Sequence, residues 1–288
     1  MGEKRVEITK VAVIGGGTMG SGIAEVCAKS GLDTIVMEPE AAAAEAAQAR
    51  INGSMDKAVA RGRLSEEDRA TTGALLSYTT DINALSDRDL VIEAIVENEQ
   101  IKLDLFKRLD EVTPEHCILA SNTSSIPLIN LGTATKRPER VLGLHFFNPA
   151  TVQKLCEIVV SIATDDAVVV ACEKFAQNTL GKETIKSKDR AGFIVNRLLV
   201  PYLLQAISLL DTGQVTAEDI DNGMMFGCAH PMGPLTLCDL IGLDTIKSVA
   251  DVLYEEFKEP TYAPPPKLKR MVAAGHLGRK TGKGFYNY

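Results

Sequence analysis

Three glycines near the start of the chain have the spacing of a phosphate-binding loop. Gly15, Gly17 and Gly20 form a G-x-G-x-x-G pattern between an apolar segment and a segment that favours a helix. The first glycine permits a tight turn, the second lets the backbone approach a pyrophosphate, and the third lets helix and strand pack closely. Because a helix amino terminus attracts anions, we expect Thr18 and Met19 to contribute to the same site. Residues 15–20, the glycine loop, therefore predict a dinucleotide site.

An acidic residue ends the next predicted strand. Glu38 closes the segment DTIVME, 23 residues after Gly15, and the motif has no basic residue beside it. A carboxylate at this place accepts hydrogen bonds from both ribose hydroxyls and repels a 2′-phosphate. These features predict NAD, in preference to NADP, as the cofactor. The alternative is a glycine-rich turn without a ligand, beside an incidental surface glutamate.

A histidine and a glutamate in two later apolar segments could transfer a proton. His145 lies in GLHFFNP and Glu157 lies in LCEIVV. If these strands pair antiparallel around the Asn148–Lys154 connection, the two side chains stand opposite each other and the carboxylate can hold one ring nitrogen. The other nitrogen then faces the cofactor and can remove a hydroxyl proton during hydride transfer. The alternative is a histidine satisfied in the core, although glutamate is rarely buried without a partner.

The elements that must position these residues alternate over the first two thirds of the chain. Strands are predicted at Val11–Gly15, Thr34–Glu38, Leu90–Ile95, Cys117–Ala120, Val141–Phe146, Leu155–Ser161 and Glu183–Ser187. Helices are predicted to begin near Thr18, Pro39, Glu99 and Asp165. Such alternation is typical of a parallel sheet with helical crossovers. The stretch Glu40–Ala60 and the acidic Ser65–Asp68 predict a helical pair that projects from the sheet, which we call the helical arm.

After Lys188 the pattern becomes helical throughout. Helical periods cover Ile194–Leu210, Ala217–Phe226, Leu243–Phe257 and Lys267–Ala274. The predicted class is therefore α/β, with a Rossmann-type NAD-binding domain over residues 1–188 followed by a smaller all-α domain over residues 189–288.

Composition argues against several other classes of protein. The 288 residues carry a net charge of −7 with both signs interspersed, so no basic stripe is available for nucleic acid. We expect no membrane span and a cytoplasmic location, because the sequence has no 18-residue apolar run and no secretory signal. The six cysteines form no C-x-x-C pair, which favours buried thiols over disulfides or a metal site.

Several ordered motifs resemble one enzyme family. They are VIGGGTMGSGIA, VIEAIVENEQIKLDLFKRLD, ASNTSSIP, GLHFFNP, GFIVNR followed by LLVPYL, HPMGPL, DLIGLD and GRKTGKGFYNY. Together they cover essentially the whole chain, which resembles the 3-hydroxyacyl-CoA dehydrogenases, and among them the stand-alone bacterial 3-hydroxybutyryl-CoA dehydrogenases. The resemblance implies reversible, NAD-dependent oxidation of a short 3-hydroxyacyl-CoA, a reaction of fatty acid metabolism.

The resemblance also implies roles for individual residues. It makes His145 the catalytic base, Glu157 its partner, and Ser124 and Asn196 the contacts of the reacting oxygen. The cofactor set implied comprises Gly15, Gly17, Thr18, Met19, Gly20, Glu38, Glu97, Lys102, Ser124, Asn148 and Lys280. Taken alone, SNTSS (residues 121–125) is an ordinary turn, GFIVNR is a helix start, and both lysines are surface residues.

For coenzyme A, the resemblance implies contacts from Ser54 and Arg61 in the helical arm. Arg61 replaces the family's lysine and keeps its charge, although its forked donors need not reproduce the lysine geometry. Thr151 stands where the family commonly has a second proline, which is expected to affect the loop or the acyl-chain preference. The implied partners are an acyl-CoA substrate, bound in a cleft between the domains, and a second copy of the chain.

The homodimer is expected to form through the helical domain, whose apolar segments Ile194–Leu210 and Met232–Leu243 exceed what one small domain can cover. Two other functions stay open from the sequence. One is a sugar-acid dehydrogenase of the L-gulonate type, which shares the cofactor domain and the His/Glu pair. The other is a non-catalytic NAD-binding protein, against which Ser124, His145, Glu157 and Asn196 all argue.

Overall fold

The computed structural model describes residues 7–288, which form two compact units. The first unit extends to Arg190 and contains the sheet, and the second runs from Ala191 to Tyr288 and is built from helices. The predicted fold class, an α/β domain followed by a smaller all-α domain, is confirmed.

The sheet has eight strands in the described residues. They are β1 Lys10–Ile14, β2 Asp33–Met37, β3 Leu76–Thr79, β4 Leu90–Glu93, β5 Ile118–Ser121, β6 Val141–Phe146, β7 Leu155–Val160 and β8 Glu183–Lys188. Their spatial order is β3-β2-β1-β4-β5-β6-β7-β8, and within this sheet β6 and β7 pair antiparallel while the other neighbours pair parallel. The first six strands have the Rossmann order, which is typical of dinucleotide-binding domains. Strands β4, β5 and β6 are buried along their whole length, as expected for a sheet covered on both faces.

The part of the first unit that the structure describes contains six α-helices. They are α1 Thr18–Lys29, α2 Ala41–Ala60, α3 Glu66–Ala74, α4 Glu99–Val112, α5 Leu128–Thr133 and α6 Asp166–Lys174, the last continuing into a π-helical turn at Phe175–Thr179. Side chains cap several of them: Ser65 accepts the Asp68 N–H, Asn98 accepts that of Ile101, and Asp165 accepts that of Ala167. Each cap satisfies a donor that the first turn leaves without a helical partner.

The helical arm consists of α2 and α3, and its inner side is packed. Ala44, Ala47, Ile51 and Met55 recur every three to four residues and are buried, the last three of them in the same core as β1 and α1. Arg61, at the end of α2, is exposed. The arm therefore follows the β2–β3 edge of the sheet along one side and presents charged groups on the other.

Two elements of the first unit were missed by the sequence patterns. Strand β3 has four residues and half-buried positions, so its apolar alternation is weak, but it pairs in parallel with β2. Helix α5 has six residues, and Asp189 stabilises its start by accepting the N–H groups of Leu128 and Ile129. A contact between residues 60 apart cannot be read from local periodicity.

The second unit comprises α7 Val195–Asp211, α8 Ala217–Gly227, α9 Pro234–Ile241, α10 Leu243–Phe257 and α11 Pro266–Ala273. Two buried aspartates fix the start of α9 and the end of the chain. Asp221 accepts the N–H groups of Leu235 and Thr236 at 2.7 and 2.9 Å and so caps α9, which the sequence patterns missed. Asp239 accepts the N–H groups of Phe285 and Tyr286, both at 2.9 Å, and so holds the last residues of the chain against α9.

The cysteines mostly behave as the composition predicted. Five are buried, and burial raises the pKa of Cys27 to about 12, but Cys228 is exposed, which corrects the expectation for that residue. Among residues 7–288, no three His, Cys, Asp or Glu side chains cluster so as to hold a metal ion. No helix in the same range combines the length and apolar character needed to cross a membrane.

Candidate active site

The sheet brings most of the predicted site residues to one edge. Strands β1, β2, β4, β5 and β6 are parallel, so the segments that follow them emerge at the same side. The glycine loop follows β1, Glu38 follows β2, Glu97 follows β4, Ser124 follows β5, and His145 lies near the end of β6. In open α/β sheets this edge binds ligands at the point where the strand order reverses, here between β1 and β4.

The glycines of the loop have three different structural roles. Gly15 has a φ of +91°, a left-handed conformation that favours glycine. A Cβ atom at Gly20 would lie 1.7 Å from the Gly15 carbonyl oxygen, so α1 can pack on β1 only with glycine there. A Cβ atom at Gly17 would meet no described atom within 4 Å. Gly17 is also the N-cap of α1, whose first turn has no acidic residue, so this open end of the helix fits a pyrophosphate.

Two charged side chains bind the backbone of Gly16. Glu38 accepts the Gly16 N–H, and Arg50 of α2 donates to the Gly16 carbonyl oxygen. The glycine motif indicates no basic residue near Glu38, so the contact of Arg50 with the same glycine is one that the sequence patterns missed. Sequence spacing could not reveal it, because Arg50 reaches the loop through the packing of α2 on the sheet.

Lys102 of α4 is buried, which overturns its interpretation as a surface lysine. It is 1% exposed, and its Nζ lies 3.1 Å from Glu93 Oε1 and 2.6 Å from Glu97 Oε2. Burial opposes ionisation of Glu97, but the Lys102 ammonium and hydrogen bonds from Thr123 and Ser125 outweigh it and lower the pKa of Glu97. Glu97 is therefore charged at neutral pH and fixed in place by Lys102.

The SNTSS segment is held from both sides. Glu97 accepts the Ser124 N–H at 3.2 Å and the Ser125 hydroxyl at 2.7 Å. Ser121 Oγ donates to Glu93 Oε2 at 2.6 Å, and Asn122 Oδ1 accepts the Phe146 N–H at 2.8 Å. The segment carrying Ser124 is thereby attached to the end of β6, next to His145.

His145 and Glu157 face each other across the antiparallel strands β6 and β7. They are direct partners in the strand register, and His145 Nδ1 lies 2.7 Å from Glu157 Oε2. His145 is 6% exposed and Glu157 is fully buried. The Phe147 ring packs edge-on against the imidazole, with 4.7 Å between centroids. This is the pairing that the sequence predicted, and it fixes which ring nitrogen meets the carboxylate.

The connection between β6 and β7 is fastened by a lysine that the motifs did not single out. Lys182 Nζ donates to the carbonyl oxygens of Ala150 and Gln153 at 2.6 and 2.7 Å, and burial lowers the pKa of Lys182. A Cβ atom at Gly22 of α1 would lie 3.2 Å from Ala150 Cβ. The connection therefore packs on the helix that begins at the glycine loop.

The remaining predicted site residues lie in the helical arm, in the β6–β7 connection and in the second unit. Ser54 of α2 hydrogen-bonds the side chain of Glu25 in α1, whose pKa burial raises. Asn148 is exposed in the β6–β7 connection, together with Thr151. In the second unit, Asn196 is half-buried in the first turn of α7, and Lys280 Nζ lies 2.6 Å from Asp244 Oδ1.

Comparison with known proteins shows the family to which the chain belongs. Residues 10–190 match the NAD binding domain of the 3-hydroxyacyl-CoA dehydrogenases, and residues 192–288 match the C-terminal domain of that family. The chain belongs to the 3-hydroxyacyl-CoA dehydrogenase family. It is an NAD-dependent dehydrogenase, and its glycine loop fits the pyrophosphate of that cofactor. The expected enzyme class and cofactor are thus confirmed.

Relatives and solved structures resemble this dehydrogenase over both units. A 3-hydroxybutyryl-CoA dehydrogenase of Mycobacterium tuberculosis is 53% identical over 282 residues, which are 98% of this chain and 99% of that protein. The crystal structure of M. tuberculosis FadB2 superposes with a TM-score of 0.97 at 52% identity, covering 98% and 99% of the two chains. That of (S)-3-hydroxybutyryl-CoA dehydrogenase from Ralstonia eutropha gives 0.93 at 42% identity and the same coverage.

The glycine loop provides a matched pair of substitutions. Gly17→Ala should keep the melting temperature but weaken NADH binding, because its methyl group enters the open space at the helix end. Gly20→Ala should lower the melting temperature, because the methyl group collides with the Gly15 carbonyl oxygen. Thermal unfolding and NADH fluorescence titration measure the two effects. Equal loss of stability in both variants would contradict the different roles assigned to these glycines.

Lys102→Met should destabilise the protein by about 3–5 kcal/mol, because it leaves Glu93 and Glu97 without their shared cation. Urea unfolding measures the change. Lys107→Met on the same helix is the control: its side chain is 56% exposed, so it should alter stability by no more than about 0.5 kcal/mol. Similar stabilities of the two variants would show that the buried ion pairs do not hold this part of the site.

Proposed function

We propose that this dehydrogenase interconverts (S)-3-hydroxybutyryl-CoA and acetoacetyl-CoA, with His145 and Glu157 as the proton-transferring pair. The observation that carries the proposal is the 2.7 Å contact between these buried side chains at the carboxyl edge of an NAD-binding sheet. The substrate is supported by the similarity to the 3-hydroxybutyryl-CoA dehydrogenases of M. tuberculosis and R. eutropha, and the S configuration by the second of them.

His145 acts as the base in the oxidation. Glu157 accepts the Nδ1 hydrogen, which leaves Nε2 as the nitrogen that removes the proton of the substrate 3-hydroxyl. As His145 becomes positive, the buried carboxylate of Glu157 compensates the charge. When bound, NAD⁺ would supply the acceptor for the hydride of C3, so that the alcohol would become a ketone. In the reduction His145 returns the proton to the ketone oxygen.

The oxygen that changes its bonding needs hydrogen-bond donors. We assign this role to Ser124 and to Asn196 of the second unit, because a hydroxyl and an amide can both stabilise the charge that develops there. The bonds from Ser124 N–H and Ser125 to Glu97 fix the position of Ser124. These contacts fix the backbone of Ser124 at the edge of the sheet, from which its hydroxyl can be offered to the substrate oxygen.

The cofactor contacts follow the order of the sheet edge. The glycine loop, including Thr18 and Met19, receives the pyrophosphate, and Glu38 receives the adenosine ribose. The remaining residues that we assign to the cofactor site are Glu97, Lys102, Ser124, Asn148 and Lys280. Because Lys102 is enclosed by Glu93 and Glu97, we assign it an indirect role, namely fixing the Glu97 carboxylate.

Coenzyme A is assigned to the helical arm. The exposed guanidinium of Arg61 offers forked donors to a phosphate. Ser54 hydrogen-bonds Glu25, so a phosphate contact from this hydroxyl would require it to leave that carboxylate. Arg61 is therefore the main phosphate ligand in the proposal.

His145→Gln should reduce turnover by about 10²- to 10⁴-fold in both directions while NADH still binds, since only proton transfer loses its agent. Glu157→Gln should cause a smaller loss, because the base remains but its orientation and charge compensation are impaired. Turnover of acetoacetyl-CoA with NADH and NADH fluorescence titration measure the two properties.

His116→Gln is the control for the loss of an imidazole. The side chain of His116 is 56% exposed and pairs with Asp89 in the first unit. This variant should keep full turnover. Appreciable activity of His145→Gln would transfer the role of base to another residue. Turnover of free hydroxy acids but not of acetoacetyl-CoA would favour a sugar-acid dehydrogenase.

A homodimer formed through the second unit completes the proposal. Large apolar side chains are exposed on this unit: Phe226 is 81% exposed and Leu198 is 71% exposed, and Leu209 and Leu240 are each about half exposed. Exposed apolar surface of this kind is typical of an interface. It lies in or next to the segments whose apolar character predicted a dimer.

Phe226→Glu should convert the dimer to a monomer near 31.0 kDa, because a carboxylate would be buried in the interface. Ile162→Glu is the control, since Ile162 is 97% exposed on the first unit and should leave the mass unchanged. Light scattering after gel filtration gives both masses. A wild-type monomer, or a Phe226→Glu dimer, would contradict the assigned interface.

A further inference from the structure

We propose that Arg50 is a latent ligand for a 2′-phosphate, so that the charge of Glu38 alone keeps this dehydrogenase selective for NAD. The inference rests on the proposed assignment of Glu38 to the adenosine ribose. It adds a second residue to coenzyme selection, one of opposite charge.

The two side chains share one anchor. Glu38 Oε1 accepts the N–H of Gly16, and Arg50 Nη1 donates to the carbonyl oxygen of the same residue. The carboxylate and the guanidinium are therefore bound to the two polar groups of one residue, the N–H and the carbonyl oxygen of Gly16. The proposal places the 2′ position of a ribose bound by Glu38 within reach of both side chains.

The packing of α2 fixes the place of Arg50. A Cβ atom at Gly16 would lie 2.2 Å from Ala47 Cβ, so the helix lies directly against the loop. Ala47 and Ile51 are buried in the core of the first unit. Arg50 follows Ala47 by three residues, which places both on the same side of the helix. The guanidinium is thus supplied by a rigid element and not by a mobile loop.

The chemistry of the two groups explains how they would divide the selection. A 2′-phosphate carries negative charge that a neighbouring carboxylate repels, so Glu38 excludes NADP. Arginine carries a positive charge and offers several donors in a fork that matches phosphate oxygens. Without the carboxylate, Arg50 would be a cation already positioned for the phosphate.

Binding of adenosine 2′,5′-bisphosphate, measured by isothermal titration calorimetry, isolates this contact from turnover. Adenosine 5′-monophosphate is the matched probe without the 2′-phosphate. Glu38→Ser should strengthen binding of the bisphosphate by about 10-fold or more, the equivalent of about 1.4 kcal/mol. Adding Arg50→Gln should remove most of that gain. Adding Arg50→Lys instead should keep part of it, because the charge remains while the fork is lost.

Lys57→Gln in the Glu38→Ser background is the charge control, because Lys57 is an exposed cation of the same helix, two turns from Arg50. It should leave the gain unchanged. Melting temperatures of all variants establish that they are folded, and the Arg50→Lys variant serves as the test if Arg50→Gln does not fold.

The outcomes separate the two assignments. If Glu38→Ser/Arg50→Gln binds the bisphosphate as tightly as Glu38→Ser, Arg50 is not the phosphate ligand, and the ribose assignment of Glu38 stands. The same conclusion follows if Lys57→Gln removes the gain as effectively. If Glu38→Ser changes binding of neither nucleotide, the ribose assignment fails and the inference fails with it.

Discussion

A buried carboxylate beside a histidine is the constraint on which the rest of the site depends. Burying an ionised glutamate costs several kcal/mol unless a partner compensates it. His145 therefore stabilises the buried Glu157, and Glu157 in turn holds one nitrogen of the His145 ring. The pair also requires its strands to run in opposite directions. The reversal between β6 and β7 brings residues 145 and 157 to the same register position, and a shift by one residue would turn each side chain to the other face.

The remaining groups are positioned relative to this pair through short chains of contacts. Asn122 attaches the SNTSS segment to the end of β6, and Glu97 and Glu93 bind that segment from β4 through Ser125 and Ser121. Lys102 neutralises part of the charge of these two glutamates. On the other side, the connection after His145 packs against α1, whose first turn we assign to the pyrophosphate. Local packing within the first unit therefore relates the pair His145–Glu157 to the glycine loop.

The sequence predicted the features that depend on local pattern. The glycine spacing, the apolar strands and the opposition of His145 and Glu157 follow from periodicity and from one antiparallel turn. Strand β3 and helices α5 and α9 were not predicted, because they are short and are stabilised by partners distant in sequence, such as Asp189 and Asp221. The burial of Lys102 and the contact of Arg50 with the glycine loop could not be predicted either, because both depend on which face of a helix meets the edge of the sheet.

The state of the His145 ring tests the account most directly. In protein labelled with ¹⁵N at histidine, the imidazole shifts report which nitrogen carries the hydrogen, and His145→Gln identifies the signals among the four histidines. At a pH where the ring is neutral, the account predicts hydrogen on Nδ1, where Glu157 accepts it, and loss of this preference in Glu157→Leu. Hydrogen on Nε2 in the wild type would contradict the account, because the nitrogen assigned to receive the substrate proton would already carry one.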